Sequence, residues 1–63
     1  MSDAVPVELA LRRAQAFNTV LMRHIFSMIE TTKARGAPDG ETLIRACEYM
    51  LTKATQAAED VEL

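Results

Sequence analysis

The chain has 63 residues and a mass of 7.0 kDa, with 25% charged residues and a formal net charge of −2. A domain this small hides only about 60% of the surface its unfolded chain exposes, so it usually leans on disulfides, a metal or a second protein surface. With Cys47 the only cysteine and His24 the only histidine, an internal disulfide is excluded and a zinc site disfavoured, and the mild negative charge exerts no global pull toward nucleic acid or anionic membrane.

The first predicted element is a long helix from about Pro6 to Lys33. Proline is tolerated in a first helical turn, where its missing N–H had no partner, and Ser2 or Asp3 is placed to cap the start. Val7, Ala10, Ala14, Phe17, Leu21, Ile25 and Met28 follow steps of three and four and form one apolar stripe. Leu11, Met22, Phe26 and Ile29 lie beside it and widen the apolar arc to roughly 200° at 100° per residue. The densest part is the segment FNTVLMRHIFSMI, residues 17–29. A single neighbouring helix covers one stripe, so this extra flank predicts a further contact.

A turn follows at residues 34–39. The only two glycines, Gly36 and Gly40, and one of the two prolines, Pro38, fall in ARGAPDGE. Gly36 suits a helix C-cap behind the basic residues Lys33 and Arg35, and Asp39 suits the N-cap of the next helix, with Glu41 in its first turn. So short a connection predicts an antiparallel pair.

The second helix is expected over about residues 40–60. Leu43, Ile44, Cys47, Met50, Leu51, Ala54, Ala58 and Val61 make one stripe roughly 100–140° wide, expected to face the core. Cys47 is therefore expected to act as a small buried hydrophobe, and Ala54, Ala57 and Ala58 to allow close helix approach. No segment alternates with the period of a strand.

Little in the chain carries catalytic chemistry. His24 sits at the edge of the helix 1 stripe with no second histidine to join it, which marks it as a boundary residue. No nucleophile–base pair, glycine-rich phosphate loop or metal-ligand spacing is present, so neither an enzyme nor a cofactor or metal site is expected. Arg12, Arg13 and Arg23 fall on the polar side of helix 1, and Tyr49 on the outer face of helix 2 with Arg45, Thr52 and Gln56. These are the candidate exposed recognition residues. Glu8 and Glu30 interrupt the basic face and no aromatics interleave it, which disfavours nucleic acid as a partner. No apolar run exceeds three residues, and no basic start leads into one, so neither a membrane span nor a signal segment is expected and a cytoplasmic location follows.

The pattern predicts an all-α, single-domain helical hairpin over residues 1–63 that dimerises into a four-helix bundle. The expected interface, with itself or with a partner protein, is Phe17, Leu21, Met22, Ile25, Phe26, Met28 and Ile29. The function this favours is a small non-enzymatic interaction module: a regulator, adaptor or inhibitor working as a homodimer. One alternative is an export-type chaperone subunit that covers its apolar flank with a client. Another rests on plan alone. The chain is similar in length and hairpin layout to helical hairpin dimers of the Rop type, and that similarity implies RNA binding through the basic face of helix 1.

Overall fold

The computed structural model describes residues 6–62 and contains two helices, α1 (Val7–Arg35) and α2 (Gly40–Glu59), packed as an antiparallel hairpin. Ser2 and Asp3, the proposed caps of the first helix, lie outside the described residues. Pro6 itself is the N-cap. Its backbone is extended, its carbonyl accepts from Ala10 N–H at 3.0 Å, no side chain caps the start, and Glu8 stands in the first turn. Helix α1 runs two residues past the expected end and stops at Gly36. There φ reaches 93°, in the half of backbone space that side chains resist, and the Gly36 N–H closes on Thr32 O at 2.8 Å.

The turn is therefore only Gly36–Asp39. Asp39 ends it as predicted: its side chain accepts from Thr42 N–H at 2.8 Å, and its carbonyl accepts from Leu43 N–H at 2.9 Å. Hydrogen bonding from Thr42, its side chain foremost and its backbone N–H second, holds the Asp39 carboxyl below its ordinary pKa. At the other end of α2, Asp60 N–H bonds Gln56 O at 3.0 Å and Val61 N–H bonds Ala58 O at 3.3 Å.

Side by side, the helices form one layer. The molecule measures 53 × 19 × 13 Å with a radius of gyration of 15.1 Å, where a compact domain of this length has about 11 Å. Most domains enclose a core between two layers. Here the only buried side chains among the described residues are Met50, 7% exposed, and Ala54, 0% exposed. Around them the seam is half-buried: Phe17, Val20, Leu21, His24 and Met28 on α1, and Ala46, Lys53, Ala57, Ala58 and Val61 on α2.

This seam differs from the expected stripes in two ways. On α2, Leu43, Ile44, Cys47 and Leu51 are exposed, although the spacing pointed them inward. The covered line runs instead along Ala46, Met50, Ala54 and Ala57, three of them alanines whose small side chains allow helix backbones to come together. The large residues are left on its flank. On α1, Val7, Ala10 and Ala14 are exposed. For Val7 and Ala10 the reason is length: α1 has 29 residues and α2 has 20, so at 1.5 Å per residue α1 is about 14 Å longer and its first turns overhang the end of α2, whereas Ala14, next to the half-buried Arg13, lies on the outward flank with Asn18 and Met22.

Candidate functional site

The two faces of the hairpin differ in chemistry. On α1, apolar residues continue around the helix from the seam residues Leu21 and Ile25 to Met22, Ile29 and Phe26. On α2 they continue from Met50 and Ala54 to Leu43, Cys47 and Leu51. Both helices are right-handed but run in opposite directions, so both flanks turn toward the same side of the layer. The result is one broad apolar face drawn from both helices. Met22 is 60% exposed, Phe26 65% and Leu51 51%. Ile29, Ile44 and Leu43 are also open to solvent, and so are Val7 and Leu11 on the overhang.

The expected interface residues divide accordingly. Phe17, Leu21, Ile25 and Met28 sit half-buried beside the seam, while Met22, Phe26 and Ile29 are free. The α2 contribution of Leu43, Cys47 and Leu51 was not anticipated, since these side chains were assigned to the hairpin's own core. Ala54 and Ala57 were expected to allow close helix approach; Ala46, a turn or two earlier on the same line, is the further sequence signal that could have fixed the rotation of α2.

The opposite face carries more polar side chains and holds a cleft of ≈ 280 Å³ near the turn, lined by His24, Ser27, Thr42 and Tyr49 together with Met28 and Met50, so that its exposed surface is mostly apolar. His24 Nδ1 lies 2.9 Å from Val20 O, an arrangement in which the Nδ1–H tautomer donates to the carbonyl. The His24 ring meets Tyr49 edge-on, with centroids 5.7 Å apart, and Lys53 Nζ lies 5.4 Å from the centre of the Tyr49 ring. Tyr49 is thus outward-facing as expected, but it is held between a histidine and a lysine. Cys47 lies about 160° around α2 from Tyr49, so thiol and imidazole do not converge.

The arginines do not build a basic patch. Arg12 pairs with Glu8 at 3.2 Å, Arg45 with Glu41 at 2.9 Å, and Lys33 with Glu30 at 3.5 Å, all on exposed surface where such pairs contribute little. Arg13 is half-buried against the seam and its Nε has no hydrogen-bond partner among the described residues. Arg23 is exposed. Among the described residues, no three His, Cys, Asp or Glu side chains gather as a metal site, and no helix is long and apolar enough to cross a membrane. No family model matches the chain, and neither a curated protein nor a solved structure shows significant similarity to it.

Proposed function

We propose that this chain is a non-enzymatic protein–protein interaction module that works as a homodimer, with the two-helix apolar face as its contact surface. One observation carries the proposal: a single layer of helices leaves large apolar side chains of both helices exposed together on one side. A contiguous exposed apolar patch on a small water-soluble domain marks a contact site. The surface area agrees. The chain exposes 5030 Å², where a compact monomer of its mass exposes about 4,000 Å². The excess of about 1,000 Å² is comparable to one partner's share of a standard protein interface, about 800 Å².

Binding, not catalysis, also matches the distribution of reactive groups. The histidine is tied to its own helix by Val20 O, and the thiol lies on the other side of α2. A regulator, adaptor or inhibitor needs only a stable helix surface to present, and a paired hairpin supplies one.

The test is Ile29→Asp, which places a charge in the middle of the face. In a paired hairpin the buried, unpaired carboxylate should dissociate the assembly, so light scattering should report half the wild-type mass and circular dichroism a loss of helix. A variant with wild-type mass and helicity would show that this face is open to water and would overturn the proposal.

A further inference from the structure

From the layout of α1, we infer that the second copy pairs antiparallel across a two-fold axis at Asn18. Each α1 overhang then lies in the apolar groove at the turn end of the other copy. This inference rests on the homodimer reading and adds its register. It differs from a fully overlapping four-helix bundle.

Two observations carry it. The first is the symmetry of the solvent-facing stripe of α1. Val7, Leu11, Ala14, Asn18, Met22, Ile25 and Ile29 lie within an arc of about 80° at 100° per residue, and all are exposed except the half-buried Ile25. Their spacing reads the same in both directions from Asn18. When α1 is laid antiparallel on its own copy about that residue, Val7 meets Ile29, Leu11 meets Ile25 and Ala14 meets Met22. Asn18 faces its counterpart, and every apolar position is matched by an apolar one. Self-complementarity of this kind is what a two-fold interface requires. A lone polar asparagine within an apolar helix seam is also a recognised means of fixing register, since any shift leaves its amide facing apolar side chains.

The second observation is the length mismatch. The first turns of α1, with Val7 75% and Leu11 59% exposed, have no α2 beside them. In the Asn18 register the overhang reaches along the other copy between Ile25 and Ile29 on one side and Leu43, Cys47 and Leu51 on the other. At the same time α2 of each copy covers only its own half of the paired α1 helices. Each half is then three helices in cross-section, and one contact covers Val7 and Leu11 on the overhang, Met22 and Ile29 on α1, and Leu43 and Leu51 on α2, with Phe26 at its margin.

Chemical cross-linking tests the register. The variants Asn18→Cys, Leu11→Cys and Ile25→Cys are made in a Cys47→Ser background and treated with a bismaleimide spanning about 8–10 Å, the usual distance between packed helices. About the Asn18 axis, copies of residue 25 or of residue 11 stand about 21 Å apart along the helix, beyond the reagent's reach. Asn18→Cys should therefore form covalent dimer at least tenfold faster than Leu11→Cys or Ile25→Cys alone. A mixture of Leu11→Cys and Ile25→Cys chains should form the mixed dimer readily. Dimer by mass with fast cross-linking of Ile25→Cys alone, or of the native protein through Cys47, would overturn the register while leaving the homodimer intact. A folded monomer that cross-links at none of these positions would overturn both.

Discussion

Met50 and Leu51 are sequence neighbours with opposite surroundings in the hairpin, and truncating each in turn separates the seam from the outer face. Met50 is 7% exposed and Leu51 is 51% exposed. Methionine, leucine and alanine are all good helix formers, so helix propensity contributes little to either change. Met50→Ala removes a side chain from the seam and should cost about 2–5 kcal/mol, the range for truncating a buried methionine or leucine. For Leu51 the two readings diverge. Full burial of a leucine side chain contributes about 1.5–3 kcal/mol, so a half-exposed one in an isolated hairpin would lose only about 1 kcal/mol on truncation. Covered by a second copy, Leu51→Ala should instead cost about 2 kcal/mol or more and leave a cavity. Urea unfolding followed by helical circular dichroism at several protein concentrations measures both. For a dimer the unfolding midpoint rises with concentration, and the fit must include that dependence. A Leu51→Ala cost near 1 kcal/mol, beside a full cost for Met50→Ala, would show that the outer face is solvated in solution. A trivial cost for Met50→Ala would refute the seam itself.

Two further substitutions probe how the hairpin is built. Ala54→Leu forces three extra carbons into the helix seam, where Ala54 is 0% exposed, and should cost about 1–3 kcal/mol by overpacking, read as a lower urea midpoint; an unchanged midpoint would mean that the helices are not in close contact there. Asp39→Ala removes the α2 cap and should lower the melting temperature at neutral pH. Because the Asp39 pKa is depressed in the folded state, its contribution is present above the ordinary carboxylate range and is lost as pH falls through the folded value. The difference between wild type and variant should therefore shrink in strong acid to what an uncharged cap contributes, whereas Asp39→Asn, itself an uncharged cap, should show a smaller deficit that acid removes.

The parts of this fold that depend on local chemistry were legible in the sequence. Gly36 and Asp39 carry the turn because one needs a positive φ and the other a short side-chain acceptor, and neither requirement depends on what lies across the molecule. The excess apolar width of α1 was equally legible, and Met22, Phe26 and Ile29 are exposed on the flank where the periodicity put them. The rotation of α2 was not. A hydrophobicity pattern ranks Leu43, Cys47 and Leu51 above Ala46 and Ala57 as core candidates. Helix packing in a single layer is decided by which side chains permit close backbone approach, and there the alanines win. The overhang of α1 escaped notice for a related reason. Whether Val7 and Ala10 are covered depends on where the other helix stops, which their own spacing does not encode. Tyr49 lay outside the apolar pattern altogether, so its edge-on contact with His24 emerged only once the helices were paired.

The central claim is that the apolar face of this hairpin is covered by a second copy of the chain. Sedimentation equilibrium of the wild-type protein from low to high micromolar concentration tests it most directly. The expected result is a single helical species of twice 7.0 kDa at the upper concentrations, dissociating on dilution together with loss of helix. A folded, helical species of 7.0 kDa throughout that range would contradict it.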